Sequence, residues 1–317
     1  MMRIDEVSSL ASAVSANIGR VIYGKENEIK LIVTALLAGG HVLLDDIPGT
    51  GKTTLARALA RSIDGESSRI QFTPDLLPSD ITGINYYNQK QSEFVFRPGP
   101  VFTSILIADE INRTTPRTQS ALLECMGERQ VTVDGVTYPV KDPFMVIATQ
   151  NPVESQGTFP LPEAQTDRFL MRLSLGYPDR SAELEMLEGH ADVSPLGSLE
   201  PVCRPEDVIA AREAAKQVRV APSVKDYLLK IVEGTRTSPR VTLGVSPRGS
   251  LALLFAVRAF AAVEGRDYVI PDDIKALAVP VLAHRILAHS QSTLRVGDTN
   301  KKIIEYILEE IKAPTGD

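Results

Sequence analysis

The stretch that most constrains the fold of this 317-residue chain is Asp46-Ile47-Pro48-Gly49-Thr50-Gly51-Lys52-Thr53. It follows a short apolar run at 41–44 and opens a helical pattern at 54–60, beginning with Thr54. Strand, glycine loop and helix, in that order, are the setting of a phosphate-binding loop. Gly49 and Gly51 let successive backbone N–H groups curl around a phosphate, and the helix N-terminus adds partial positive charge. Lys52 is placed to reach β- and γ-phosphates, and the Thr53 hydroxyl to hold Mg²⁺. One letter departs from the general pattern: Asp46 stands where the first glycine usually is.

Further polar groups follow strand-like runs. Residues 102–108 read as an apolar strand that ends in Asp109-Glu110. Downstream of Lys52, Asp109 is a candidate Mg²⁺ ligand and Glu110 a candidate general base for water. Taken alone, the pair reads better as a strand followed by an acidic helix cap. Residues 146–148 lead to Asn151, placed either to bond a γ-phosphate or the attacking water, or to make a turn. Arg168 precedes another strand pattern at 169–174. It would either stabilise the charge of phosphoryl transfer in a neighbouring subunit or pair with Asp167. Arg248 falls in the first turn of a long helix pattern, where the dipole disfavours a cation; an anionic partner or a plain surface position both fit.

The remaining pattern divides the chain in two. Up to about residue 180, strands alternate with helices, which implies a parallel α/β sheet. Two hairpin signals interrupt it, at 84–100 and around Asp134-Gly135 within 130–140. From Ser181 onward the pattern is helical, with candidates at 205–218, 223–236, 246–263, 271–288 and 300–311. The expected organisation is an α/β nucleotide-binding domain over 1–180, including two N-terminal helices, and an all-helical domain over 181–317. The charged start, Met1-Met2-Arg3-Ile4-Asp5-Glu6, has no apolar signal core, and no stretch approaches transmembrane length. Two cysteines, Cys125 and Cys203, fit a reduced compartment, so a cytoplasmic location is expected. A net charge of -6 and the absence of Trp give no general pull toward nucleic acid.

In this order the motifs resemble the MoxR family of AAA+ ATPases. The specific strings are Arg69-Ile70-Gln71-Phe72-Thr73-Pro74-Asp75 continuing to Gly83, Asp109-Glu110-Ile111-Asn112-Arg113, Ala148-Thr149-Gln150-Asn151-Pro152, and Leu161-Pro162-Glu163-Ala164-Gln165 with Asp167-Arg168-Phe169. The similarity runs from about Val21 to about Leu287, and the family tolerates a residue other than glycine at Asp46. The resemblance implies a P-loop AAA+ core with a parallel sheet followed by a helical lid, with ATP and Mg²⁺ bound. It implies Lys52 and Thr53 as Walker A residues, Asp109 and Glu110 as Walker B, Asn151 as first sensor, Arg168 as arginine finger and Arg248 as second sensor. Ile22, Tyr23 and Gly24 look like the adenine-pocket segment, 84–97 like the helix-2 insert, and 130–140 like the hairpin before the first sensor. Such proteins are thought to work as oligomeric, often hexameric, chaperone-like ATPases on protein clients, frequently with partners bearing a von Willebrand factor A domain. A metal-insertion subunit of chelatase type, a nucleic-acid motor of the same clade and a nucleotide-gated scaffold remain the competing readings.

Overall fold

The computed structural model describes residues 2–46, 49–150, 158–189, 195–289 and 296–314. Two helices come first, α1 (Ile4–Gly19) and α2 (Glu26–Leu37), then β1 (Val42–Asp45), α3 (Lys52–Ser62), β2 (Ser67–Gln71) and α4 (Pro78–Thr82). A hairpin of β3 (Gly83–Asn88) and β4 (Glu93–Pro98) precedes β5 (Ile105–Asp109) and α5 (Pro116–Glu128). A second hairpin, β6 (Gln130–Val133) and β7 (Val136–Pro139), leads to β8 (Met145–Gln150), α6 (Glu163–Thr166) and β9 (Met171–Leu173).

Five of these strands form one parallel sheet in the order β2-β5-β8-β1-β9. β5 is buried along its whole length and β8 along all but its last residue, which is why both read as unbroken apolar runs. Asp45 pairs in register with Gln150 and Ala108 with Ala148. The C-terminal ends of β1, β8 and β5 therefore lie side by side, and whatever follows them shares one edge of the sheet. The strand expected over 102–108 begins only at Ile105. The Phe102 and Thr103 amides are spent on the turn carbonyls of Gly99 and Val101, and the Phe102 ring lies edge-on to Phe96.

The second half supplies α7 (Arg180–Gly189), α8 (Pro205–Lys216), α9 (Pro222–Thr237), β10 (Val241–Leu243), α10 (Pro247–Val263), α11 (Pro271–Leu282), β11 (Leu287–Ala288) and α12 (Val296–Glu310). Proline opens α8, α9, α10 and α11, where its missing N–H has no helical acceptor to lose. A short antiparallel pair, β10 with β11, is set among these helices. The helix expected over 271–288 stops at Leu282. Asn300 on α12 draws the Ala283 and Ile286 carbonyls onto its amide, at 3.0 and 2.8 Å, and the chain turns there. α1 and α2 pack on α10 and α8 as well as on each other, so one apolar core runs from the sheet into the helical half. Among the described residues no helix is long and apolar enough to cross a membrane.

Candidate functional site

The glycine loop leaves β1 at the C-terminal edge of the sheet. Gly49 and Gly51 have φ of 85° and 84°, the left-handed region that glycine enters without a Cβ penalty. A Cβ on Gly49 would meet nothing within 4 Å, so its freedom serves the backbone turn rather than packing. Thr50, Thr53 and Thr54 are half-buried around the turn; Pro48 lies outside the described residues. Lys52 is the first residue of α3, and its ammonium donates to the Asp46 carbonyl at 3.0 Å. Burial pulls its pKa below the ordinary lysine value, and the carboxylates of Asp46, Asp109, Glu110 and Asp45 oppose that pull. A cation placed among four carboxylates stays charged for an anion arriving at the loop.

Asp46 has a structural task that a glycine cannot perform. Its buried carboxylate accepts from the Ser174 hydroxyl at 2.8 Å, the Gly176 amide at 3.0 Å and the Leu175 amide. The loop is thereby tied to residues 174–176, the segment between β9 and α7. The Ile22-Tyr23-Gly24 stretch bridges the same two places. A Cβ on Gly51 would sit 3.5 Å from Ile22 Cδ1, and one on Gly24 would collide with the Ala182 methyl of α7 at 2.6 Å. Next to it, Lys25 donates to the Tyr177 carbonyl at 2.9 Å.

The two acids at the end of β5 are held by donors from β2, β8, α3 and the turn after β5. Asp109 has Thr53 Oγ1 at 3.5 Å, Thr149 Oγ1 at 3.3 Å and Arg69 Nε at 2.6 Å. Glu110 lies in the left-handed region (φ 57°, ψ 48°), a conformation that costs a residue with a Cβ about 1 kcal/mol or more. The structure over-determines that conformation. The Glu110 amide donates to Thr149 Oγ1 at 2.9 Å, while its carboxylate takes Gln71 Nε2 at 2.8 Å and Arg113 Nη1 at 3.0 Å. The donor set suits Mg²⁺: Thr53 and Asp109 offer a hydroxyl and a carboxylate oxygen at one edge, the one or two protein oxygens that this ion takes beside phosphates and water. No group of three His, Cys, Asp or Glu side chains that would hold a metal occurs among the described residues. Asn151 follows β8 directly and lies outside the described residues.

Arg168 and Arg248 sit elsewhere. Met171 pairs with Val42 at the start of β1, and Arg168 comes three residues earlier. It is therefore at the N-terminal end of the sheet, whereas Lys52 lies beyond the C-terminal end; β1 alone separates them by about 13 Å. Its guanidinium donates to the Leu123 carbonyl on α5 at 2.6 Å and not to Asp167. Asp167 is taken by the buried Arg285, which also holds the Phe169 carbonyl at 2.6 Å. The Ser246 hydroxyl that caps α10 reaches Asp167 as well, at 3.3 Å. Arg248, two residues on, is exposed. It is close enough to help lower the pKa of Arg285, an effect that burial leads and Asp167 opposes. The two arginines thus share one face, remote from their own glycine loop.

The two hairpins meet each other beside the sheet. Phe96 stacks on Tyr138 with ring centroids 4.0 Å apart, and Asn85 donates to Asp134 at 2.7 Å. Beyond this contact Tyr86, Tyr87 and Phe94 are exposed, Phe94 to 73%.

Residues 41–171 match the sequence profile of the ATPase family associated with various cellular activities (AAA), and residues 233–307 match the AAA lid domain. The chain is 41% identical to chaperone MoxR1 of Mycobacterium tuberculosis over 98% of its own length and 83% of that protein. It belongs to the MoxR family of AAA+ ATPases. Another relative, the uncharacterized protein YeaC of Bacillus subtilis, is 51% identical over 98% of this chain and 97% of that one. A crystal structure of a candidate ATPase from Cytophaga hutchinsonii superposes with a TM-score of 0.88 at 36% identity, covering 98% and 96% of the two chains. The P-loop core and helical lid expected from the MoxR resemblance are therefore the fold of this protein.

Arg69, Gln71, Arg113 and Thr149 stand in the strings that carry the resemblance without a role of their own, and Arg285 has no signal in the sequence. Arg69 and Gln71 alternate on β2, and only the register that sets Gln71 opposite Asp109 shows what they face. Thr149 had the clearer signal, a hydroxyl at the end of an apolar strand.

Proposed function

We propose that this MoxR-family protein is an ATP-hydrolysing, ring-forming remodeller of protein clients, with nucleotide sites completed between subunits. The observation that carries the reading is the placement of Lys52, Thr53, Asp109 and Glu110 on one sheet edge and of Arg168 and Arg248 at the opposite end. Lys52 and the amides of the glycine loop neutralise the phosphates, with the Ile22-Tyr23-Gly24 segment beside the base. Thr53 and Asp109 would hold Mg²⁺, which would supply neutralisation of phosphate charge. Glu110 orients and deprotonates the attacking water, once Gln71 and Arg113 release its carboxylate. Asn151 takes the first-sensor role beside it. Arg168 and Arg248 serve the nucleotide of the next subunit, since a strand's length separates them from their own loop. A neighbour that must supply them makes oligomerisation, in a hexameric ring, part of the mechanism.

In this reading 1–180 acts as the nucleotide domain and 181–317 as the lid, joined at the 174–182 segment that Asp46 and Gly24 hold to the loop. The exposed aromatics of the paired hairpins are the surface offered to clients. Proteins with a von Willebrand factor A domain are the partner class to try first. The test is ATP turnover against protein concentration for wild type, Glu110→Gln and Arg168→Ala. Specific activity of the wild type rises with concentration as rings form, and both variants are inactive at every concentration. Unchanged turnover in both variants would overturn the mechanism.

A further inference from the structure

A cavity of about 320 Å³ lies between the end of α2, α8 and the middle of α10, and neither Arg168 nor Arg248 lines it. Four cations reach it, Arg129, Arg212, Lys216 and Arg258, against two carboxylates, Asp142 and Glu213. Glu213 is taken by Lys216 at 2.5 Å. Asp142 is shared by Arg129 at 3.1 Å and Arg212 at 2.5 Å. Arg258 has no ion pair among the described residues, so the lining carries two uncompensated positive charges. Buried guanidinium donors are expensive to leave unmatched. Arg212 is only 5% exposed, yet its enclosed Nη2 has no hydrogen-bond partner among the described residues, and the enclosed Nε of Arg258 has none either. Desolvation lowers the Arg212 pKa and the neighbouring Arg129 lowers it further, with Asp142 in opposition, so an added negative charge here would relieve repulsion. Phe255 and Ile209 supply an apolar wall. The volume is that of a small-molecule site.

We infer that this cavity binds a small organic phosphate, its phosphoryl group drawn by the surplus positive charge of Arg129, Arg212 and Arg258 and its apolar body against Phe255. Arginine forks suit phosphate and carboxylate alike, and the surplus of two charges favours the dianion. The site sits at the N-terminal end of the strands, near Gly39 and Asp142, away from the glycine loop, and its ligand is distinct from ATP.

Calorimetric titration of phenyl phosphate into the full-length Lys52→Ala protein tests this with the glycine loop disabled. One site per chain should remain, and adding Arg258→Gln should weaken it at least about tenfold, the loss of one charge-assisted hydrogen bond. Arg258 has no partner among the described residues, so the melting temperature of its variant serves as the control for folding; Arg212 also holds the Leu36 carbonyl and is the riskier substitution. Loss of all binding in Lys52→Ala, or binding indifferent to Arg258→Gln, would overturn the site. Benzoate binding as tightly as phenyl phosphate would overturn the phosphate assignment.

Discussion

The two ends of the parallel sheet differ in charge and in how firmly they are held. At the C-terminal end, Asp109 and Glu110 are each gripped by two or more side chains from β2, β8, α3 or the turn after β5. At the N-terminal end, Arg168 rests on a single carbonyl and Arg248 is exposed, although the residues between them, Asp167 and Arg285, are locked together. Groups that must hold a metal and aim a water need fixed geometry, and the loop end provides it. Groups that must meet another molecule need to be presented on a firm base with their own heads free to move. The contrast fits the proposed division of the site between neighbouring subunits.

The largest effect expected is at the arginine end. Arg168→Ala should lower ATP turnover by about 10³-fold or more, the range for an arginine finger, while leaving ATP affinity within a few-fold of wild type. Equilibrium ATP binding beside steady-state turnover checks both halves. At the acid end, Glu110→Gln should lower turnover by roughly 10²- to 10⁴-fold with ATP still bound, as for loss of a general base. If that variant fails to bind ATP, Glu110 belongs to the binding site rather than to the chemistry.

A third prediction concerns stability at the arginine end. His41 is fully buried just before β1, accepts the Val146 amide at 2.9 Å and faces the Met126 carbonyl at 3.2 Å. Burial pulls its pKa down to about 4 from 6.5, with Arg129 and Arg212 adding to the fall and the Met126 carbonyl opposing it. Between those values the unfolded chain binds the extra proton and the native one does not. Stability is therefore full above pH 6.5 and declines toward pH 4, by about 3 kcal/mol from this residue. Denaturant unfolding at pH 7 and pH 4.5 should show the decline, and His41→Asn should flatten it.

Asp46→Gly would restore the general loop pattern and yet remove three hydrogen bonds. It should destabilise the protein by about 2 kcal/mol and lower the melting temperature by several degrees. A neutral or stabilised variant would mean that the tie to residues 174–176 carries no weight. The smallest effect is expected away from both ends: Tyr87→Ser with Phe94→Ser should leave basal ATP turnover within about twofold, since exposed side chains touch neither site. A large loss of basal turnover would show that the hairpins serve the nucleotide site rather than clients.

Much of this was legible in the residue order. Strand, glycine loop and helix are local, and apolar runs such as those of β5 and β8 announce buried parallel strands. The hairpins were visible because Asp134-Gly135 and the alternation around Phe94 are short-range signals. What stayed hidden depends on register and crossing. Arg69 and Gln71 face the acids only because β2 pairs with β5, and Asp46 looked like a tolerated exception until residues 174–176 folded onto it. Arg168 paired with Asp167 was a reasonable local alternative. Arg285, more than a hundred residues away, takes that carboxylate and leaves Arg168 to α5.

The division of the site between subunits is tested most directly by mixing two inactive proteins. Glu110→Gln keeps its arginines and Arg168→Ala keeps its base. If each site is built from two chains, one interface in four of an equal, random mixture pairs an intact base with an intact arginine. Turnover should then recover to about a quarter of the wild-type rate. A mixture that stays as inactive as its components would mean that both groups act within one chain, and would contradict a site shared between neighbours.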